Sequence, residues 1–196
     1  MRAVGAVILA AGGSTRFGQP KQLLAFNGES LVLRAVRAAS EAACAAIVVV
    51  VGDEGERIGI ELRTTAARIV HNGGWRRGPG TSIRRGLEHL LHMDAVVLMA
   101  CDQPLVNASV IRALIAAREQ TRRPIAACRY AKTLGVPALF DGSCFSELMK
   151  LPDDSGAKAL IAADPGRVAE VEFEGGSIDL DTPEDFERLQ SLHQGG

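Results

Sequence analysis

Paired cysteines are absent from this sequence. Its four, Cys44, Cys101, Cys128 and Cys144, stand far apart with no C-x-x-C pair and no adjacent histidine. Neither a disulfide framework nor a zinc site is indicated, and a reducing, cytoplasmic setting fits best. An excess of one charge is missing too, because 22 Lys and Arg face 23 Asp and Glu, a formal net charge of −1. That balance argues against the broad basic footprint of a nucleic-acid binder and leaves local clusters of cations as the means of holding an anion. No apolar run approaches the ~18 residues of a membrane span. The short run after Arg2 breaks at once into Gly12-Gly13-Ser14, unlike a secretory leader. There is no Gly-x-Ser-x-Gly elbow, so a serine hydrolase is not indicated. Aromatic residues make up only 4% of the chain against 47% hydrophobic residues. The core must therefore be built from Ala, Val, Ile and Leu, which suit close packing of helices on a sheet.

What is present is alternation. Short, nearly continuous β-branched runs at 4–9, 46–51 and 95–100 are separated by segments of helical period, the pattern of parallel strands buried on both faces. Helices are expected at 30–43, 54–64, 82–92, 108–120, 156–163 and 183–192. Thr182 would cap the last of these, Pro183 suits its first turn, and Glu184 and Asp185 complement its dipole. Further strands are expected at 68–70, 125–129, 136–140, 168–173 and 177–180. The later strands come closer together than a parallel crossover allows, especially the last two, between which Glu174-Gly175-Gly176 reads as a hairpin turn, so the sheet, of about seven strands, should be mixed. With no linker or repeat, residues 1–193 read as one domain and Gln194-Gly195-Gly196 as a frayed tail.

The densest signal is Leu9-Ala10-Ala11-Gly12-Gly13-Ser14-Thr15-Arg16-Phe17-Gly18-Gln19-Pro20-Lys21, a buried strand that opens into a glycine loop carrying two cations. Backbone N–H groups beside Arg16 and Lys21 have the composition of a polyphosphate cradle. It is not a P-loop, since Gln19-Pro20 stand where Lys and Ser/Thr would be needed. Gly12, Gly13 and Gly18 also have the wrong spacing for a dinucleotide fingerprint. A plain surface turn is the competing reading.

Other segments could join this loop. The strand at 95–100 ends in Cys101-Asp102-Gln103-Pro104, which puts a carboxylate at the strand edge where open α/β sheets bind ligands. Asp102 is favoured as a ligand for a divalent cation over a helix cap, because Asn107 is the better capper. Asp179 and Asp181, two apart near a second strand end, are candidates for the same ion, although Asp181 would serve equally well to start the last helix. Asn72 to Ser82 is a second glycine-rich loop feeding a helix, able to approach a base or a phosphate or simply to turn. Trp75 within it reads as core rather than stacking platform, Cys101 as buried rather than nucleophilic, and His89 with His92 as a solvated helix end.

Taken in order, Leu9-Ala10-Ala11-Gly12-x-Ser14-x-Arg16-x-Gly18-x-x-Lys21, Gly78-x-Gly80-x-Ser82, Cys101-Asp102-Gln103-Pro104 and Asp179-x-Asp181-Thr182-Pro183-Glu184-Asp185 resemble the molybdenum cofactor nucleotidyltransferases over nearly the whole chain. The Cys-Asp-Gln-Pro form and the glycine loop before Ser82 are more similar to the cytidylyltransferase branch than to the guanylyltransferase branch. The resemblance implies a Rossmann-like three-layer α/β/α fold with a mixed, mainly parallel sheet, of the nucleotide-diphospho-sugar transferase type. It implies CTP and molybdopterin cofactor as substrates, Mg²⁺ as cofactor, and a molybdo-oxidoreductase as the protein that receives the product. On this analogy Ala11, Gly12, Gly13, Ser14, Arg16 and Lys21 hold the triphosphate, and Gly78, Gly80, Thr81 and Ser82 meet the nucleoside. Arg16, Lys21 and Asp102 carry catalysis, and Asp102 with Asp181, or Asp179 in its place, holds the metal. Gly135, Pro137, Asp154 and Lys158 match segments on the second-substrate side. Lys158 stands where relatives often have arginine, which keeps the charge but loses the bidentate fork. GTP as donor, another phosphorylated acceptor, or a non-catalytic cofactor insertion factor are the alternatives.

Overall fold

The computed structural model describes residues 3–13, 19–178 and 185–186. Nine strands and six α-helices lie within them. The strands are β1 (Val4–Ala10), β2 (Ala25–Phe26), β3 (Glu29–Ser30), β4 (Ala46–Val51), β5 (Arg68–His71), β6 (Ala95–Ala100), β7 (Ile125–Tyr130), β8 (Thr133–Asp141) and β9 (Val168–Glu172). The helices are α1 (Leu31–Glu41), α2 (Gly55–Glu61), α3 (Pro79–Leu87), α4 (Ala108–Thr121), α5 (Phe145–Leu148) and α6 (Ala157–Ala163). No helix among the described residues is long and apolar enough to cross a membrane.

Seven strands form one sheet in the order β5-β4-β1-β6-β8-β7-β9, and β2 with β3 makes a small separate ribbon. All neighbours in the large sheet run parallel except β8, which is antiparallel to both β6 and β7. The fold is the Rossmann-like, mixed, mainly parallel α/β arrangement. Its layers follow from the two-residue repeat of a strand. Ala6, Ile8 and Ala10 of β1 join Val32 and Val36 of α1, Ile58 of α2 and Ile111 of α4 on one face. Val7 joins Ile83 and Leu87 of α3, Leu148 of α5 and Ile161 of α6 on the other. Strands covered on both faces need apolar side chains at every position, hence the unbroken runs in the sequence. Helix α3 comes close to the sheet because Gly86 has no side chain, and a Cβ there would stand 2.4 Å from Val7 Cγ1.

Among the described residues the hairpin turn expected at Glu174-Gly175-Gly176 is not formed, and 179–180 of the strand expected to follow it lie outside them. Glu174–Ser177 is a short 3-10 helix, and β9 pairs parallel with β7. The two glycines serve contact instead, since a Cβ on Gly176 would meet the Tyr130 ring at 2.3 Å. The sheet is mixed because β7 turns back into β8 through Ala131 and Lys132, both at positive φ (45° and 62°). Such a tight reversal normally announces itself with Asn or Gly. Helix α3 begins at Pro79, earlier than expected, with the proline in the first turn. Ser30 and Asn107 cap α1 and α4 by accepting backbone N–H bonds. Of the expected last helix only 185–186 is described, and it is helical there; the expected caps at Thr182 and Pro183 lie outside the described residues.

Beneath α4 the Arg118 guanidinium pairs with Asp141 at the end of β8, both side chains largely buried. Burial works against the Asp141 charge, but the Ser143 backbone N–H and Arg118 outweigh it and hold the carboxyl below its ordinary range. A depressed folded-state value gives stability that is present above the unfolded value of about 4 and is lost as pH falls through the folded one. Asp141→Asn is therefore expected to lower Tm near neutrality and to flatten its decline in acid. Thermal melts of both proteins across that range check this, and parallel curves would refute it.

Candidate functional site

Strand β1 lies between β4 and β6; the chain runs outward from it through β4 to β5 and then crosses back to β6 on the other side, so a crevice opens beyond the carboxyl ends of these strands. Four strand ends deliver residues there: Ala11 to Gly13 after β1, Gly52-Asp53 after β4, Asn72 after β5 and Cys101-Asp102 after β6. Lys21 opens a short 3-10 helix, Lys21–Leu23, that returns to the same edge. Its Nζ donates to Asp102 Oδ2 at 2.5 Å, with 14% and 21% of the two side chains exposed. The neighbouring Gln22 is 1% exposed, and its Nε2 donates to Ala10 O at 2.9 Å and Gly12 O at 2.8 Å.

A cavity of about 340 Å³ brings together Ala11, Gly12, Lys21, Gly78, Ser82 and Asp102 among the residues that sequence reasoning singled out. A second, of about 410 Å³, adjoins it across Gly12 and Trp75 and is lined also by Gly13, Asp53 and Arg76. Trp75 is not in the core as expected; it lines both cavities. Gly13 and Gly52 make room for the indole, since a Cβ on either would come within 2.9 Å of it. The indole N–H donates to Asp53 Oδ1 at 3.0 Å, and Arg76 lies over the ring at 4.6 Å while also pairing with Asp53. The indole N–H, then Arg76, hold the Asp53 carboxyl below its ordinary range.

Asn72 organises the second glycine loop. It is buried, and its Nδ2 donates to Thr81 Oγ1 and Ser82 Oγ, both at 2.9 Å, while its Oδ1 accepts the Gly74 N–H. The Ser82 hydroxyl is thereby held at the cavity wall. Gly80 and Thr81 are not among the lining residues of either cavity. The close approach that Gly78 and Gly80 permit is made by the chain's own 152–155 backbone: a Cβ on Gly80 would stand 2.0 Å from Pro152 O, and the Gly80 N–H donates to Asp153 O at 3.0 Å. Asp153 is anchored in turn by Arg84 and Arg77.

The second-substrate candidates divide. Gln103, next to Asp102, donates through Nε2 to Val136 O at 3.1 Å and Gly176 O at 3.2 Å. Gly135 and Pro137, which flank Val136, are thus held beside the end of β6. Asp154 and Lys158 are exposed near the start of α6 and line neither cavity. Ser14, Arg16, Asp179 and Asp181 lie outside the described residues.

Neither Cys101 nor the pair His89 and His92 supplies chemistry at this edge. Burial and then the Asp102 charge push the Cys101 thiol well above its ordinary value, so it is not a thiolate. His89 and His92 fall beyond the last turn of α3, and no group of three or more His, Cys, Asp or Glu among the described residues could hold a metal ion. In the cavity that Lys21 lines, the donor offered to a cation is Asp102, a hard oxygen donor in a space large enough for phosphates. A magnesium-like ion fits such a donor set, because it takes one or two carboxylates and completes its shell with water and phosphate oxygens. Sequence reasoning missed Gln22, Asn72 and Asp53, whose roles are hydrogen bonds to residues brought near only by folding. Their one outward sign was a position beside or inside a glycine loop.

The family model described as the MobA-like NTP transferase domain matches residues 6–169. The purine catabolism protein PucB of Bacillus subtilis is 26% identical over 94% of each chain. The nicotine blue oxidoreductase of Paenarthrobacter nicotinovorans is 26% identical over 93% of this chain and 94% of its own. The molybdenum cofactor cytidylyltransferase of Escherichia coli is 24% identical over 95% of each. Among solved structures, Rv0371c of Mycobacterium tuberculosis superposes with a TM-score of 0.86 at 29% identity, covering 97% of this chain and 98% of its own. Its complex with manganese gives 0.81 at 27% identity, covering 96% and 98%.

Proposed function

The chain belongs to the MobA-like NTP transferase family, a family of nucleotidyltransferases, and from that premise we propose that it transfers CMP from CTP to the phosphate of molybdopterin cofactor, releasing pyrophosphate. The observation that carries this reading is the meeting of Lys21 and Asp102 at 2.5 Å inside a cavity walled by the first glycine loop and Ser82. Such a site has one group for phosphate charge and one for a cation. The cytidylyl donor and the molybdopterin acceptor are supported by the Cys101-Asp102-Gln103-Pro104 form and by the Escherichia coli relative.

The acceptor phosphate is already anionic at neutral pH, so the reaction asks for control of charge rather than a general base. Mg²⁺ held by Asp102, with Asp181 or Asp179, would screen the repulsion between acceptor and α-phosphate. Lys21 and Arg16 meet the β- and γ-phosphates and stabilise charge building on the departing pyrophosphate. Backbone N–H groups from Ala11 to Ser14 cradle the same oxygens. On the nucleoside side Ser82 presents a hydroxyl fixed by Asn72, and Thr81 with the Gly78–Gly80 turn backs it. Gly135 and Pro137 face the acceptor beside Gln103, with Asp154 and Lys158 further out, and a molybdo-oxidoreductase takes the product.

Pyrophosphate release measured with CTP, GTP, ATP and UTP in turn, with and without molybdopterin cofactor, tests this. Release is expected with CTP and only when the cofactor is present. Release with GTP would reassign the donor, and nucleotide binding without release would make the protein an insertion factor.

A further inference from the structure

Gln22 has no part in the chemistry outlined above, yet it is one of the few polar side chains buried among the described residues, at 1% exposure. An amide in that position is costly unless its hydrogens are satisfied. Its Nε2 donates to Ala10 O at the end of β1 and to Gly12 O in the first glycine loop, at 2.9 and 2.8 Å. A peptide unit is planar and trans, so its N–H points opposite to its C=O. Pulling the Ala10 and Gly12 carbonyls inward onto one buried amide therefore turns the N–H groups of Ala11 and Gly13 outward, away from the interior. Ala11 and Gly13 both line the cavities at this edge. Gln22 also follows Lys21 directly, so one short helix sets the cation and the loop together.

We infer that Gln22 is a positioning residue that aims the backbone N–H groups of the glycine loop at the phosphates of the nucleotide. Two carbonyl oxygens converging on one nitrogen require a group with two hydrogens, and an amide supplies them without adding charge beside Lys21. The inference rests on the nucleotidyl-transfer reading and deepens it. A merely structural Gln22 would affect all ligands alike; a positioning one affects those with phosphate.

Binding of CTP, cytidine and inorganic tripolyphosphate, followed by calorimetry and by the fluorescence of Trp75, the single tryptophan, separates the two. Gln22→Met keeps the length but removes both donors. It is expected to weaken CTP and tripolyphosphate about tenfold, as for the loss of one to two net hydrogen bonds, and to leave cytidine unchanged. Gln22→Glu sets a carboxylate against two carbonyls, so its tripolyphosphate affinity should be poorest at neutral pH. It should recover in part on acidification, when the protonated carboxyl can donate again. Equal weakening of cytidine and CTP, or a Gln22→Glu protein with no recovery in acid, overturns the inference. Tripolyphosphate binding that depends on Gln22 in a protein that transfers no nucleotide would sustain the inference and overturn the proposed function. A wild-type protein that binds neither CTP nor tripolyphosphate overturns both.

Discussion

Asp102→Asn is expected to lower pyrophosphate release by about 10³-fold, at or above the usual cost of removing one preorganised charge from a reacting site. The isosteric amide keeps the shape of the end of β6 but gives up the hard anionic donor. Its second expected effect has the opposite sign. In the structure Asp102 holds Lys21 at 2.5 Å, so a triphosphate arriving without metal must draw the ammonium from a carboxylate that competes for it. Neutralising Asp102 removes that competition, and metal-free CTP should bind to the variant at least as tightly as to wild type. Lys21→Met is the counterpart and should lose both turnover and metal-free CTP affinity. Rates from a pyrophosphate assay and affinities measured in a chelator separate the two effects. Wild-type turnover in Asp102→Asn would sink the catalytic assignment; weaker metal-free binding would show that the pair does not oppose the nucleotide.

Gly80→Ala is the change with the largest expected effect on stability. On helix propensity alone alanine would be favoured by up to about 1 kcal/mol. The structure reverses that sign, because the added Cβ would stand 2.0 Å from Pro152 O and 2.9 Å from Ser155 O. Both neighbours are backbone and cannot rotate away. Either α3 or the 152–155 segment must shift, with loss of the bond from Gly80 N–H to Asp153 O. Overpacking of this kind costs about 1–3 kcal/mol, and with the lost bond we expect about 3 kcal/mol, a fall in Tm of roughly 6–12 °C for a chain of this size. Gly73→Ala is the control, since nothing lies within 4 Å of its Cβ position. Scanning calorimetry of the two variants checks the contrast, and equal melting temperatures would refute it.

Gly80 also marks where sequence reading stops. Its glycine-rich surroundings suggested a close approach, but the partner is Pro152, some seventy residues on, and nothing local to Gly80 announces it. The strands β1, β4 and β6 were legible to within a residue because burial on both faces demands continuous apolar runs. Lys21 and Asp102 were legible as separate candidates, one by loop composition and the other by its place after a strand, and the fold supplied their contact. Gln22 and Asn72 were not legible, since a buried amide is recognisable only by the carbonyls and hydroxyls it reaches. Trp75 misled because a lone tryptophan in an apolar chain suggests a core position, whereas Gly13 and Gly52 seat it at the cavity mouth. The close spacing of the strands expected at 125–129 and 136–140 already left no room for a parallel crossover, but the turn itself was not legible, because Ala131 and Lys132 adopt positive φ without the residues that usually do so.

That reversal has a consequence for how the site can vary. Because β8 runs against its neighbours, the strand's beginning rather than its end lies at the edge that carries Asp102, and the exposed tip at Ala131-Lys132 stands at that edge too. Insertions at a hairpin tip leave sheet register and core untouched. Lengthening this turn would extend the rim on the Gly135 and Pro137 side without moving the glycine loop or Lys21. On the proposed function, such an insertion would reshape the acceptor side of the site and leave the donor side as it is, a division of labour by which one scaffold can diversify.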